Sequence, residues 1–375
     1  MRGVGALAVV FAHALVAAPY FTVAGPWFAF LVQHTFWLAA TALPMFFVVS
    51  GFCIHLAQIR HEGGLRFRFV AFWRRRMWRL YPTYFVAVCC SMGLLLLMWA
   101  MGRGAELLSR YPEPFGAWLA ADFVTHVLML HGLHPVFDHG MANPPLWSLA
   151  REEYLYLMYP ALLLLRQRLP WYTLAGLLAA LTIAIQLIAT RVATPGWAWL
   201  LVTSAPALWI QWHLGVVAAD AYRGVIRLPA FWRQMRWVPG WMLLAYLTPP
   251  GIVFVGLAYF TVVNACVARE ADGRWPTGGM FDALSSVGLG SYSLYLIHHP
   301  AQIVALAMTA RVLPTVGLAG FLGRAVLLTI VGCIAGRLLF VLVERHFLSV
   351  PRRSDRLAPG PAGVDDQSVA LRVSP

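Results

Sequence analysis

The chain has 375 residues, of which 60% are apolar or aromatic and only 11% are charged. Soluble domains carry roughly 25% charged residues, so this composition, with a mean hydropathy of +0.70, excludes a water-soluble globule. The abundance of apolar residues also excludes a disordered chain, and no short repeat indicates a fibrous one. What remains is a polytopic membrane protein with helices that cross a hydrocarbon core about 30 Å thick.

The formal charge of +13 comes from 28 basic and 15 acidic residues, and all 28 basic residues are arginine. In a soluble protein such an excess would suggest a nucleic-acid partner. In a membrane protein, arginines instead mark the cytoplasmic connections between spans and bind phosphate groups. We therefore expect no nucleic-acid partner.

Apolar segments in the chain predict an all-α integral membrane protein with about ten transmembrane helices. The first segment also carries polar residues at helical spacing, so we expect it to be a retained span and not a cleaved signal peptide. The ten segments cover residues 3–24, 36–58, 80–101, 147–165, 171–190, 198–219, 237–248, 251–268, 284–309 and 321–343.

The distribution of arginine predicts the orientation of these spans. Arginines are concentrated in the connections after the second, fourth and sixth segments and in the C-terminal tail. Such connections stay on the cytoplasmic side, which places both termini there. The long segment 102–146 is then expected on the outward side, lying in the interface or re-entering the membrane. We expect one membrane domain over residues 1–348 and a disordered cytoplasmic tail over 349–375.

Arg2 and His13 are the first pair of candidate functional residues. Ionisable side chains inside spans are costly unless they are partnered or functional. Arg2 and His13 are eleven residues apart, so in a helix their side chains share one face and lie about 16 Å apart along the axis. A neutral imidazole can take a proton from a hydroxyl group and return it. The alternative is a core histidine bonded to neighbouring backbone.

A cluster of arginines follows the second span, in the stretch Phe72–Tyr84. Arg76 and Arg79 are three residues apart and share a helix face, with Arg75 adjacent. Guanidinium groups bind phosphate oxygens in bidentate geometry, so the cluster suits a cytoplasmic donor with several phosphates, such as coenzyme A. Membrane anchoring by the positive-inside rule is the alternative.

Two further stretches place polar groups in the predicted spans. Glu152 and Glu153 follow Pro144-Pro145 at the start of a helix, where they could complement the helix dipole, orient a histidine or bind sugar hydroxyls. Tyr295 and His298 share a face of the ninth segment, where they form either part of a site or a polar seam between helices. Ser50-Gly51-Phe52 is most simply a close helix contact, and Glu344-Arg345 a salt-bridged anchor.

The histidines of the outward segment do not predict a metal site. His131 and His134 have a spacing compatible with one helix face, but no third ligand has diagnostic spacing. We therefore expect no metal ion. The sequence also contains no phosphate-binding glycine loop, no G-x-S-x-G elbow and no dinucleotide fingerprint.

Taken together, these motifs resemble membrane acyltransferase family 3, which O-acylates bacterial surface polysaccharides, Nod factors and some macrolides. The resemblance extends over about residues 1–348, with the motifs in the family's order. The matching stretches are Arg2-x10-His13, Phe46–Phe52, Arg75–Pro82 with its R-x-x-R at Arg76 and Arg79, Trp147–Glu153, and Ser291–Pro300. Arg151 departs from the pattern, because an apolar residue usually precedes the glutamate pair.

The resemblance implies a ten-span core in the bacterial inner membrane that moves an acyl group from cytoplasmic acyl-CoA, acetyl-CoA in particular, to a carbohydrate or glycolipid hydroxyl. It implies no tightly bound cofactor. His13 is then the catalytic base and Arg2 supports it, together with Glu153. Arg75, Arg76 and Arg79 bind the donor, while Glu152, Tyr295 and His298 are candidate substrate-binding residues.

A transporter or flippase for a lipid-linked or small polar substrate is the main alternative. Buried His, Glu and Arg would then line a translocation path. Such proteins often carry inverted repeats with matched broken helices, and no internal repeat is evident here. A non-catalytic scaffold is the third possibility.

Overall fold

The computed structural model describes residues 1–17, 25–59, 67–102, 111–112, 114–248, 251–274, 276–309 and 317–348. Every element longer than a single bridge in these ranges is a helix, which confirms the predicted all-α fold. The predicted tail at 349–375, and Arg60 and Arg66 of the second connection, lie outside the described residues.

Fifteen α-helices occur in the described ranges, joined by short 3₁₀ turns. They are α1 Arg2–Ala17, α2 Gly25–Ala40, α3 Ala42–Leu56, α4 Phe69–Ala100, α5 Phe115–Val127, α6 Pro135–Asp138, α7 Trp147–Arg168, α8 Trp171–Ala189, α9 Pro195–Val202, α10 Ala205–Tyr222, α11 Val238–Leu247, α12 Gly251–Ala271, α13 Gly279–Leu289, α14 Ser291–Thr309 and α15 Gly317–Leu342. The 3₁₀ turns are His131–Leu133, Pro144–Leu146, Ala230–Arg233, Met235–Trp237 and Glu344–Phe347.

Six helical stretches are long and apolar enough to cross a membrane, by length and composition. They are Trp27–Leu56, Phe69–Ala100, Trp171–Ala189, Pro195–Tyr222, Gly251–Ala271 and Ala319–Leu342. Four of the ten predicted spans fall outside this set. Helix α1 has only 16 residues and α11 only ten, α7 carries five arginines and glutamates, and α14 contains the polar residues His298, His299 and Gln302. The structure therefore supports a membrane protein with at least these six candidate spans.

Helix α4 begins earlier than the predicted third span. The predicted boundary, an arginine-rich connection that extends to residue 79, is wrong, because the chain is helical from Phe69 onward. Arg76 and Arg79 consequently project from a rigid helix whose remaining length is apolar. A helix holds guanidinium groups in a fixed relation, which a loop does not.

Helices α3 and α10 pack at backbone contact, as the Ser50-Gly51-Phe52 motif predicts. A β-carbon on Gly51 would lie 2.2 Å from the carbonyl oxygen of Trp212, and one on Gly215 would lie 2.0 Å from that of Val48. Only glycine fits at these two positions. This contact forms the centre of the largest buried cluster, which includes Trp212 and Tyr159.

Helix α14 contains Pro300, which has no N–H to offer the carbonyl of Leu296 four residues earlier. The side-chain amide of Asn143 takes that place, donating to the Leu296 oxygen at 2.8 Å and to Ser91 Oγ at 3.1 Å. Asn143 is fully buried. The segment before α7 is thereby fixed against the middle of α14.

The segment between α4 and α7 is folded against the protein through Arg151. Its guanidinium donates to Asp138 Oδ1 at 2.7 Å, to Gly132 O at 3.1 Å and to Thr203 O at 3.0 Å. Both Arg151 and Asp138 are 1% exposed. Arg151 therefore has a structural role, as one partner of a buried ion pair that joins α7, α6 and the end of α9.

Candidate functional site

A cavity of about 800 Å³, part of it open to the surface, lies where α1, α3, α4, α7 and α14 meet. Its wall combines apolar rings with an unusual number of charged groups and hydroxyls for a chain of this composition. The polar residues that line it are Arg2, Arg76, Arg79, Ser148, Glu152, Tyr156, Ser291, Tyr292, Tyr295 and Glu344.

Three guanidinium groups face this cavity, from Arg2 at the start of α1 and from Arg76 and Arg79 in the first turns of α4. Within the described residues, none of the three has a carboxylate within ion-pair distance. The Arg76 guanidinium lies over the ring of Tyr156, 5.6 Å from its centroid. The cavity therefore presents concentrated positive charge without an internal counter-ion in contact.

Two carboxylates also line the cavity, but hydroxyl groups hold both of them. Glu152 Oε1 accepts from Ser50 Oγ at 2.7 Å and from Tyr156 OH at 2.5 Å. Glu344 Oε2 accepts from the backbone N–H of Ser293 at 3.0 Å and from its hydroxyl at 2.5 Å. With three guanidiniums and two carboxylates, the cavity keeps a net positive charge suited to an anion.

Glu344 lies in the 3₁₀ turn just after α15, outside the membrane-spanning segments. Burial raises the pKa of its carboxyl above the ordinary value, although the Ser293 hydrogen bonds and the charges of Arg79 and Arg2 act in the opposite direction. The ionised form of Glu344 is therefore destabilised at this position, because the solvent that would stabilise its charge is excluded.

Tyr295 closes one part of the cavity with a fixed hydroxyl group. Its oxygen lies 3.0 Å from Pro145 O and 2.6 Å from Ser148 Oγ, which itself lies 3.3 Å from the same carbonyl, so the two hydroxyls and the carbonyl form one hydrogen-bonded group. These contacts join the start of α7 to α14. The ring of Tyr295 lies 5.9 Å from the ring of His298, which connects the cavity wall to a second group of residues.

That second group is a cluster of three imidazoles around His13. The rings of His298 and His299 lie 5.1 Å and 5.6 Å from the ring of His13, both edge-on. His13 is half-buried, whereas His298 is fully buried. His13 does not line the cavity itself; the ring of His298 lies near both His13 and the cavity residue Tyr295 and so connects the two groups.

The structure thus brings the predicted residues into two adjacent groups. Arg2, Arg76, Arg79, Glu152 and Tyr295 share the cavity, and His13 and His298 share the imidazole cluster. Glu152, not Glu153, lines the cavity, while Glu153 is buried on the next face of α7. Arg75 is exposed on α4 and does not reach the cavity.

Sequence reasoning missed several members of the site. No motif indicates Tyr156, and Tyr292 lies in the Ser291–Pro300 motif without an assigned role. The patterns at Ser50 and Glu344 indicate packing and anchoring only. For Tyr156 a signal exists, because it lies four residues after Glu152 and shares its helix face. For Glu344 the pairing with Ser293 joins positions 51 residues apart, and no local pattern indicates it.

A further buried polar cluster lies apart from the cavity, where α3, α7 and α10 end together. His55 hydrogen-bonds Tyr159 OH at 2.7 Å and Asp220 Oδ1 at 2.9 Å, and Arg166 forms an ion pair with the same aspartate. His55 is fully buried. These hydrogen bonds and the ion pair join the ends of the three helices.

Comparison with known proteins identifies the family to which this arrangement corresponds. A family model described as an acyltransferase domain matches residues 1–342 of the chain. No curated protein and no solved structure shows a significant match.

Proposed function

Because the chain belongs to the acyltransferase family whose model matches residues 1–342, it is an acyltransferase, and its apolar helices make it an integral membrane protein; we propose that it is an O-acyltransferase. In this proposal it moves an acyl group, acetyl in particular, from acyl-CoA to a hydroxyl of a carbohydrate or glycolipid. Acyl-CoA is a co-substrate, and no cofactor is tightly bound.

The observation that carries the proposal is the set of three cavity arginines without a carboxylate partner among the described residues. A buried or half-buried guanidinium without a counter-ion is costly, so a fold that holds three of them together is suited to a polyanion. Coenzyme A carries several phosphates, and guanidinium groups bind phosphate oxygens in bidentate geometry.

Arg2, Arg76 and Arg79 therefore bind the donor's phosphates in this proposal, and the exposed Arg75 acts on its approach. Glu152 and Tyr295 line the path of the acyl arm. The arginine-rich end is placed on the cytoplasmic side of a bacterial inner membrane, with about ten helices crossing it and both termini in the cytoplasm.

The chemical step assigned to His13 is general base catalysis. Its imidazole takes the proton of the acceptor hydroxyl, whose oxygen attacks the thioester carbonyl carbon; the new C–O bond forms as the C–S bond breaks. The proton then passes from His13 to the coenzyme A thiolate, which leaves as the thiol. His298 supports the base in this scheme, because its ring lies 5.1 Å from that of His13. Glu153 is not within ion-pair distance of His13 and has no role in the step. The acceptor reaches His13 from the outward side.

The proposal is tested with purified protein in detergent and radiolabelled acetyl-CoA. Binding is measured for the native chain, for Arg76→Gln and Arg79→Gln, and for Arg74→Gln as a matched control at an exposed arginine of the same helix. Each cavity variant is expected to raise the dissociation constant for coenzyme A by about tenfold or more, since a charge-assisted contact contributes about 1.5–3 kcal/mol. The control is expected to change it less than about threefold.

Transfer is measured in parallel, by following label from acetyl-CoA into glycan and lipid extracts with native and His13→Ala membranes. Label that appears only with the native protein supports the assignment of the base. Equal labelling excludes His13 as the base. If neither binding nor labelling occurs, the acyl-CoA proposal fails and a transporter for a polar substrate becomes the better interpretation.

A further inference from the structure

The imidazole cluster determines which nitrogen atoms carry protons, because several of their partners can only accept. His298 Nδ1 lies 3.0 Å from Leu294 O and 2.9 Å from Tyr295 O. Carbonyl oxygens have no proton to donate, so His298 must carry its proton on Nδ1. In the neutral ring, Nε2 of His298 is then a bare lone pair.

The same reasoning extends to His13. Its Nδ1 lies 2.9 Å from Val9 O, which again only accepts. The second neighbour of that nitrogen is His298 Nε2 at 3.4 Å, which the two carbonyls have already made an acceptor. Both contacts require a proton on His13 Nδ1, so the lone pair of His13 is on Nε2.

From this geometry we infer that His298 is a positioning residue for His13: its Nε2 accepts the Nδ1–H of His13 and so leaves Nε2 of His13 as the basic atom. The inference rests on the proposed role of His13 as the base. It adds the atom that takes the proton and the residue that directs it there.

The hydrogen bond between the His13 and His298 rings becomes stronger once His13 is protonated. At 3.4 Å it is long for a neutral hydrogen bond. Once His13 Nε2 takes the acceptor's proton, the ring is an imidazolium, and its Nδ1–H becomes a charged donor to His298 and Val9. Hydrogen bonds of catalytic groups are often long before the substrate binds and shorten afterwards.

A neutral partner also suits this position. A carboxylate beside His13 would favour the charged imidazolium before any substrate bound. Within the described residues no carboxylate lies within ion-pair distance of His13. An imidazole acceptor orients the ring while the base stays unprotonated and ready to take a proton.

The spacing of the two rings is set by helix contacts around them. Gln302 Nε2 donates to Val10 O at 2.9 Å, which ties α14 to α1 one turn beyond His298. On α15, Gly332 faces both helices: a β-carbon there would lie 3.1 Å from Val10 Cγ1 and 3.2 Å from His298 Cβ. Three helices therefore hold the pair.

The first test compares His298→Leu, which has no acceptor, with His298→Gln, whose amide oxygen restores one near the position of Nε2. His298→Leu is expected to lower kcat by at least about tenfold, which is part of the roughly 10²–10⁴-fold contribution of a general base, without changing KM for the donor. His298→Gln is expected to recover most of that loss. Thr309→Val is the matched control: it removes a hydroxyl group on the same helix that bonds only to Ala305 O, and it should leave kcat within about threefold.

The second test measures the tautomer directly in the native protein. Nitrogen NMR of ¹⁵N-histidine-labelled protein distinguishes protonated from bare ring nitrogens, and the spectrum of His13→Gln identifies the His13 signals. We expect a protonated Nδ1 and a bare Nε2. A His13 ring protonated on Nε2 overturns the inference, even if His298→Leu does not fold.

The outcomes also separate this inference from the proposed function. If His298→Leu is as active as the native protein while His13→Ala is inactive, His298 has no positioning role and the proposed base stands. If His13→Ala remains active, the proposed function loses its base and the positioning role fails with it. A loss in His298→Leu that His298→Gln does not recover indicates packing and contradicts the inference.

Discussion

Ser50 Oγ donates a 2.7 Å hydrogen bond to Oε1 of Glu152, across the interface between α3 and α7. Tyr156 OH donates to the same oxygen from the next turn of α7. Both donors hold the carboxylate against the wall, where it does not form an ion pair with Arg76. The positive charge of the cavity therefore depends on two hydroxyl groups.

The double variant Ser50→Ala, Tyr156→Phe removes both donors to Glu152. The carboxylate is then expected to turn to the cavity arginines, so that an anionic donor must compete with it. Loss of hydrogen bonds to a charged group costs about 1.5–3 kcal/mol, which corresponds to a rise of about tenfold or more in the dissociation constant for coenzyme A. Isothermal titration calorimetry measures it. Thr329→Val, which removes a hydroxyl bonded only within its own helix, should leave the constant unchanged; an unchanged value in the double variant would contradict this role for Glu152.

Glu344→Gln tests how much the buried carboxylate of Glu344 destabilises the folded protein, through the pH dependence of the melting temperature. The folded pKa of Glu344 is raised by burial, so its contribution favours folding below the ordinary carboxyl value and is lost as pH rises through the raised value. Native and Glu344→Gln proteins should therefore have similar melting temperatures near pH 4. The variant should become relatively more stable towards neutral pH. A gap that stays constant between these pH values would show that Glu344 does not titrate in this range.

Arg151→Met breaks the buried ion pair with Asp138 and leaves a carboxylate without its guanidinium. Burial would raise the pKa of Asp138, but the hydrogen bond from His139 and the charge of Arg151 together hold it below the usual range. Removing one partner of such a pair is expected to cost about 3–5 kcal/mol of unfolding free energy. Unfolding in mixed micelles measures it, and Arg151→Met, Asp138→Asn should recover part of the loss. Arg191→Met, at an exposed arginine, is the control and should have almost no effect.

Gly51→Ala and Gly215→Ala should each separate α3 from α10, because the new β-carbon meets a backbone oxygen that cannot move alone. We expect the free energy of unfolding to fall by about 3 kcal/mol or more, as for severe overpacking. Gly176→Ala on α8 is the matched control, with open space around its β-carbon. It should raise stability by up to about 1 kcal/mol through helix propensity. Equal melting temperatures for Gly51→Ala and Gly176→Ala would show that the contact does not control stability.

The sequence predicts the helical fold and the arginine face well, because both depend on local periodicity. Arg76 and Arg79 do share a face of one helix, as three-residue spacing requires. Periodicity could not select Arg76 over Arg75, since Arg75 and Arg79, four apart, also share a face. The packing of α4 against its neighbours determines which arginines face the cavity, and it leaves Arg75 exposed.

For a related reason, the sequence could not predict which of the two glutamates lines the cavity. Glu152 and Glu153 are adjacent and point about 100° apart, and only the location of Ser50 on α3 decides which of them meets the cavity. His299 raises the same difficulty, because it contacts His13 although it is one position removed from His298. Contacts between distant helices leave no periodic signal in the chain.

Helix α1 carries an arginine at one end and the imidazole of His13 eleven residues later, in an unbroken helix. At 1.5 Å per residue this fixes a separation of about 16 Å between the two levels. In the proposed function, a donor anchored by its anionic group beside Arg2 must therefore carry its reactive carbon on an arm of that length to reach His13. A compact acyl phosphate would hold its acyl group beside its own charge and fall short of the histidine, so the proposed reaction would select its donor by molecular length as well as by charge.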